Sequence, residues 1–204
     1  MSAELRKEYE SRFRSVLVPV AAQLQAVLLG YLKGTPRIDR VSVRAKYPDS
    51  FMKKAFKVKN GVPAYSDPLG EIQDQIGARV IAFYTSDIDP ISKCILKYFR
   101  HIEAANKEPL SEAEFGYFGR HYILAVPPDA VPPQIDMREA PTVFELQVRT
   151  LFQHAWSEAE HDLAYKPQRE LTSDEKRKFA FTAAQAWGAD RIFQDLYDGL
   201  SSQQ

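Results

Sequence analysis

The sequence predicts an α+β domain in which a mixed β-sheet of about four to five strands is flanked by helices. Two observations predict it. Segments with the two-residue alternation of strands, around 38–47, 78–84, 120–126 and 142–148, are interleaved irregularly with segments of helical periodicity. The last two of these strands are joined by a short, proline-rich connection of the hairpin kind rather than by a crossover helix, which disfavours a doubly wound sheet.

The elements follow in order. Tyr9, Phe13, Val16, Val20, Leu24, Val27 and Tyr31 recur in steps of three and four and mark a long amphipathic helix ending near Gly30 to Gly34. From Ile38 to Tyr47, Val41, Val43 and Ala45 alternate with Ser42, Arg44 and Lys46, a strand with one polar face. Asp49 or Ser50 is suited to cap a short helix reaching about Lys57. Lys59 to Gly70, rich in Gly, Pro and Asp, reads as a loop. Ala78 to Tyr84 is a strand, and Asp87 to Ile102 a helix with Ile91, Ile95, Leu96 and Phe99 inward. After a polar loop, Arg120 to Val126 forms the third strand. Pro127, Pro128, Pro132 and Pro133 then exclude both helix and central strand. Thr142 to Val148 is the fourth strand and Leu151 to Ala164 a helix. One or two closing helices carry Phe179, Phe181, Trp187, Ile192, Phe193 and Leu196.

Composition bounds the function. At 204 residues the chain suits one well-buried domain, with a motif-bearing core over 38–166, an N-terminal helix over 3–33 and a C-terminal helical segment over 171–200. Hydrophobic residues make up 45% and charged residues 26%, ordinary for a globular protein. Basic and acidic residues number 27 each, so no global field favours duplex DNA or an anionic membrane, and any basic site is local. The lone Cys94 excludes an internal disulfide and a cysteine zinc site, and suits a reducing cytoplasm. The first residues lack an apolar signal core, and Gln23 and Gln25 interrupt the longest apolar run, so neither a signal peptide nor a membrane span is expected.

Glu145, Gln147 and Arg149 alternate along one strand and share a face, while Leu146 and Val148 turn to a core. A strand that aims a carboxylate, an amide and a guanidinium at one spot organises a ligand, a phosphorylated one with a metal, unless it is simply a solvated face. Arg44 and Lys46 precede a helix N-terminus at Ser50, a cradle suited to phosphates, with Lys53 or Lys54 reaching back. No Walker-type loop or Rossmann fingerprint is present. Asp74, just before the second strand, gives with Glu145 the two carboxylates that hold Mg2+ against phosphates. Tyr117, between Gly116 and Gly119 at a strand mouth near His121, is placed to stack on a purine. His154, Glu158, His161 and Tyr165 share a helix face. They lack the HExxH zinc pattern, and His161-Asp162 stands alone without the partners of a metal phosphohydrolase.

In order, Arg-x-Lys-x3-Ser (44–50), Asp-x2-Gly-x-Arg (74–79), Gly-Tyr-x-Gly-x-His (116–121), Glu-x-Gln-x-Arg-Thr (145–150) and Trp-x3-Glu-His-x3-Tyr-Lys (156–166) resemble the synthetase domain of RelA/SpoT-type alarmone synthetases. The chain has no room for the hydrolase domain or regulatory tail of the long members, and so resembles the small, stand-alone synthetases. The resemblance implies a nucleotidyltransferase-like fold and pyrophosphate transfer from ATP to the 3′-hydroxyl of GDP or GTP, giving (p)ppGpp and AMP. It implies that Arg44 and Arg79 sandwich the adenine, and that Lys46, Ser50 and Lys54, with Lys53 as a rival, bind the ATP phosphates. Asp74 holds Mg2+, and Glu145 shares the metal or accepts the proton of the attacking hydroxyl. Tyr117 stacks on the acceptor base with His121 and Gln147 nearby, and Arg149 and His161 brace the site. A homo-oligomer, a tetramer by family analogy, is also implied.

One departure bears on the acceptor. Family members commonly carry basic residues just before the Gly-Tyr motif, where this chain has Ser111-Glu-Ala-Glu-Phe115. Acceptor phosphates are then met by cations from elsewhere, such as Arg120 or Lys166, or the acceptor differs. The alternatives are an adenine nucleotide, or the 3′ end of tRNA as in the toxin branch, which would bring an antitoxin partner. A tRNA acceptor would use Arg169, Lys176, Arg177 and Lys178. A third reading is a catalytically inactive domain that binds nucleotide or a partner.

Overall fold

The structure, a computed structural model, describes residues 2–107, 114–116, 119–164 and 169–202. Helix α1 (Ser2–Arg12) passes through a π-helical turn, Phe13–Leu17, into α2 (Val18–Tyr31). There follow β1 (Ile38–Ala45), α3 (Pro48–Ala55), a small hairpin of β2 (Val58–Lys59) and β3 (Val62–Pro63), α4 (Pro68–Glu71) and β4 (Ile76–Ala82). Then come α5 (Ile88–Tyr98), β5 (His101–Lys107), β6 (Gly119–Ala125), β7 (Val143–Thr150), α6 (Leu151–Ala164) and α7 (Ser173–Ser201). The main sheet has five strands in the order β1-β4-β7-β6-β5. Its neighbours are antiparallel except β4 and β7, which are parallel, so the sheet is mixed as expected.

Residues paired across adjacent strands share a face, and the registers sort the sheet cleanly. Val41 and Val43 of β1, Ala78 and Val80 of β4, Leu146 and Val148 of β7, and Tyr122 and Leu124 of β6 share one face. This face meets the helices. Leu17, Val20, Leu24 and Leu28 from the N-terminal helix and Ile91 and Ile95 from α5 are all buried in the same core cluster. Each such side chain stabilises by about 1.5–3 kcal/mol. Along β1, the Val43 N–H donates to Gln25 Oε1 of α2 at 3.0 Å, which satisfies a backbone donor at the sheet edge. By length and apolar composition the segment Ser2–Tyr31 is long enough to cross a membrane. Its interruption by Gln23 and Gln25 therefore does not exclude a span. One face of it packs into the core, with Tyr9, Leu17, Val20, Leu24 and Leu28 fully buried, while Val18 and Leu29 are exposed.

Local chemistry sets the helix starts near the site. Thr150 Oγ1 accepts from the Gln153 N–H at 3.1 Å, and Gln153 Oε1 accepts from the Thr150 N–H at 3.1 Å. This reciprocal capping box turns β7 into α6 with no intervening loop. Thr172 and Glu175 make the same box for α7.

Several boundaries differ from the sequence expectation. The helix after β1 begins at Pro48 with no side-chain cap, because proline is preorganised for the first helical position. Asp49, expected as a cap, instead meets Arg6 of α1 at 2.6 Å. The expected loop 59–70 contains the hairpin and α4. α5 stops at Tyr98, and the residues from His101 pair with β6 as an edge strand; the apolar spacing of Phe99 and Ile102 had read as more helix. Leu96, expected inward, is exposed. The closing segment is a single helix whose Phe181, Trp187, Ile192, Phe193, Leu196 and Leu200 are exposed, while only its Ala183 and Asp190 are buried.

Asp190 anchors α7 to the end of the sheet. Its Oδ2 accepts from Thr150 Oγ1 at 2.8 Å, while Oδ1 is buried without a hydrogen-bond partner. Burial pushes its carboxyl up to about 6 despite the Thr150 bond, from an ordinary 3.8. The folded state therefore favours the protonated form, and its contribution is fully present below the unfolded value and lost as pH rises through about 6. Across that window the loss is about 3 kcal/mol. Asp190→Asn is expected to match the native protein in thermal unfolding near pH 4 and to exceed it above pH 7, with the gap opening between.

Candidate active site

The other face of the sheet is polar and built in cross-strand rows. Arg44, Gly77 and Glu145 form one row, and Ser42, Arg79, Gln147 and His121 the next. Arg40, Ile81 and Arg149 form a third. Arg44 and Arg79 are diagonal neighbours, a relation that separates residues by about 7–8 Å, somewhat less between Cβ atoms. That gap suits a flat ring between two guanidinium planes. Gly77 lies between Arg44 and Glu145, and a Cβ there would meet no atom within 4 Å. Packing does not require glycine at this point; its missing side chain leaves the floor of the face open.

At one end of this face stand Asp74 and two lysines. Lys46 Nζ lies 2.9 Å from Asp74 Oδ2, and Lys54 Nζ 3.0 Å from Oδ1. Lys46 is held by its backbone, whose N–H donates to Gln75 O at 2.8 Å and whose carbonyl accepts from Tyr9 Oη at 2.8 Å. Tyr9 in turn stacks on Phe51 of α3 with ring centres 3.6 Å apart. Thus α1 and α3 together fix the cationic end. Burial alone would push the Asp74 carboxyl up, but the Lys46 and Lys54 charges and hydrogen bonds outweigh it and hold it below its ordinary value. Of the two candidate lysines, Lys54 turns to Asp74, while Lys53 is exposed. Ser50 is exposed in the first turn of α3.

Glu145 sits at the centre. Its Oε1 is 3.0 Å from His121 Nδ1, and its Oε2 accepts from Gln147 Nε2 at 3.1 Å. Burial raises its carboxyl, yet the His121 hydrogen bond and charge, with the Gln147 bond, hold it below the ordinary value; the Asp74 charge works the other way. Gln147 Oε1 accepts from Arg149 Nη2 at 2.5 Å, and Arg149 Nη1 donates to Ser157 Oγ of α6 at 2.8 Å. Arg149, only 4% exposed, therefore braces β7 against α6. Ser157 and its neighbour Glu158 were not singled out as site residues. Glu158 Oε1 pairs with Arg79 Nη1 at 2.9 Å, so α6 holds two of the arginines on the polar face. The signal was present in the helix-face spacing of His154, Glu158 and His161. His161 is exposed in the last turn of α6.

On the acceptor side the structure corrects one expectation. Arg120 pairs with Val148 in register and so points to the opposite face, where it meets Asp89 of α5. It is not placed to compensate the acidic run. Tyr117, Tyr165, Lys166 and residues 111–113 lie outside the described residues. Phe115 packs edge-on against Trp187 of α7, ring centres 5.8 Å apart. Of the cations considered for tRNA, Arg169 is engaged by Glu175 at 2.8 Å and Lys178 by Asp174 at 2.6 Å. Among the described residues no group of three or more His, Cys, Asp or Glu side chains gathers to hold a metal. The metal donors available at the site are the paired carboxylates of Asp74 and Glu145.

A mixed sheet that brings two carboxylates, two lysines and two diagonal arginines to its open face has the donors and cations of an anion-binding site, and comparison with known proteins gives its family. Residues 43–170 match the family model described as the region found in RelA / SpoT proteins, and the chain belongs to that family. No curated protein sequence matches significantly. Among solved structures, the fold is similar to a GTP pyrophosphokinase family protein from Streptococcus pneumoniae, with a TM-score of 0.74, 22% identity and 96% of each chain covered. It is similar also to small alarmone synthetase 1 from Bacillus subtilis, with a TM-score of 0.73 and 21% identity over 96% of this chain and 97% of that one. The same Bacillus subtilis protein bound to its product pppGpp gives a TM-score of 0.70 and 18% identity over 97% of this chain and 99% of that one.

His121→Leu removes the leading influence that lowers Glu145 while burial and Asp74 continue to raise it. The Glu145 carboxyl is therefore expected to titrate at higher pH in the variant, as read by carboxyl 13C chemical shifts.

Proposed function

We propose that this protein is an ATP-dependent pyrophosphokinase that makes (p)ppGpp from GDP or GTP. The observation that carries the reading is the convergence of Asp74, Glu145, Lys46, Lys54, Arg44 and Arg79 on one open sheet face. Membership of the family and likeness in fold to a synthetase solved with pppGpp support the same reading.

The acceptor 3′-oxygen attacks the β-phosphorus of ATP; the new O3′–Pβ bond forms as the bond from Pβ to the α-phosphate oxygen breaks, and AMP leaves. Such a transfer asks for in-line positioning and for neutralisation of charge on the phosphoryl oxygens. Arg44 and Arg79 take the adenine between them, since a guanidinium stacks on a base as well as forking to an anion. Lys46 and Lys54 transfer their hydrogen bonds from Asp74 to the phosphates, with Ser50 beside them. Asp74, no longer paired with the lysines, would then be free to hold Mg2+. The residues fit that ion: Mg2+ is commonly held by one or two carboxylates plus substrate phosphates, and Asp74 and Glu145 are ionised hard-oxygen donors. When bound, the ion would neutralise charge on the phosphates. Glu145, ionised and held by His121 and Gln147, accepts the hydroxyl proton as the O3′–Pβ bond forms. Tyr117 is the residue assigned to stack the guanine.

Asp74→Asn and Glu145→Gln are expected to reduce transfer at least a thousandfold while leaving the unfolding temperature within a few degrees of native. Full activity in Glu145→Gln would overturn the assigned proton acceptor. Gly77→Ala adds to the open floor a Cβ that meets no atom within 4 Å, so it is expected to fold normally and to weaken binding of a non-hydrolysable ATP analogue in calorimetry.

A further inference from the structure

We infer that Glu158 is a positioning residue for the ATP base: its carboxylate sets the plane of Arg79 before the nucleotide arrives. The inference rests on the proposed reading, in which Arg44 and Arg79 enclose the adenine, and adds a residue to it.

The two arginines are held very differently. Arg44 is exposed on edge strand β1 and makes no ion pair among the described residues. Arg79 is 24% exposed in its side chain, lies on the interior strand β4, and is bound through Nη1 to Glu158 Oε1 at 2.9 Å. The Glu158 side chain is 46% exposed, but the backbone that carries it is fixed. Its neighbour Ser157 is tied to buried Arg149, and the helix that carries both starts directly from β7 through the Thr150–Gln153 capping box. The Arg79 charge and hydrogen bond hold the Glu158 carboxyl below its ordinary value against the opposing effect of burial. His154, one turn earlier on the same face, adds a smaller effect of the same sign on Glu158, while burial holds its own imidazole below the ordinary value.

An arginine side chain carries about 2 kcal/mol of rotamer entropy, and a planar group held in advance loses less of it on binding. Arg79 is thus the preorganised side of the base site, and Arg44, exposed on the edge strand, is the less constrained side. A partly exposed ion pair contributes little to stability, so the consequence of Glu158 is in donor affinity rather than in folding. Only one guanidinium edge is used by Glu158, which leaves the planar face of Arg79 available for stacking.

The test is a double-mutant cycle read by calorimetric binding of a non-hydrolysable ATP analogue. Glu158→Ala is expected to weaken binding about 5- to 10-fold, the size of coupling usual for residues in one ion pair. It should have almost no further effect in an Arg79→Ala background, and its full effect in an Arg44→Ala background. In steady-state assays the ATP KM rises, while the acceptor KM and kcat stay close to native; Glu158→Asp recovers part of the affinity. Unchanged analogue binding in Glu158→Ala, or equal losses in all three backgrounds, would overturn the positioning role while leaving the proposed function standing. Failure of the native protein to bind the analogue would instead overturn the functional reading and, with it, this one.

Discussion

The parallel pairing of β4 with β7 is the constraint on which the site depends. Every other neighbour in the main sheet is antiparallel, and this one junction aligns the strands so that Gly77 lies opposite Glu145 and Arg79 opposite Gln147. Because both strands run the same way, the turn before β4 that carries Asp74 lies at the same end as Glu145. A one-residue slip would turn Glu145, Gln147 and Arg149 into the apolar core and bring Leu146 and Val148 to the surface. The burial of Val80, Leu146 and Val148 therefore fixes the register, and the register fixes the chemistry. Core and site are the two faces of one alternation.

Electrostatics explains how two carboxylates coexist on a partly buried face. Each raises the other's cost of ionisation, and each is compensated from its own side: Asp74 by Lys46 and Lys54, Glu145 by His121 and the amide of Gln147. The arrangement is closed without a ligand, since both oxygens of Asp74 are occupied by the lysines assigned to the phosphates. In the proposed reaction a triphosphate would draw the lysines away, and Asp74 would then be a hard-oxygen donor suited to a divalent cation. Groups of this kind are held in place in advance, which is how a site stabilises charge as it develops.

Much of this was legible in the sequence, and for identifiable reasons. The period-two pattern of Glu145, Gln147 and Arg149 against Leu146 and Val148 predicted both faces of β7, and the order of motifs pointed to the family. Strand β5 was not legible, because Phe99 and Ile102 continue a helical spacing and only pairing with β6 decides the matter. The direction of Arg120 followed from register rather than composition: a cation beside a site motif points away when it lies one residue out of phase. The Lys53 and Lys54 ambiguity needed the phase of α3. The Arg79–Glu158 pair joins residues far apart in sequence: the helix-face spacing marked Glu158, but nothing local marked Arg79 as its partner.

The most direct measurement is product analysis after incubating the protein with γ-labelled ATP and Mg2+, with GDP, GTP, ADP or bulk tRNA supplied separately. The account predicts that label moves to the guanine nucleotides with one AMP formed for each label transferred. Label moving only to an adenine nucleotide or to tRNA, or to no acceptor at all, would contradict it.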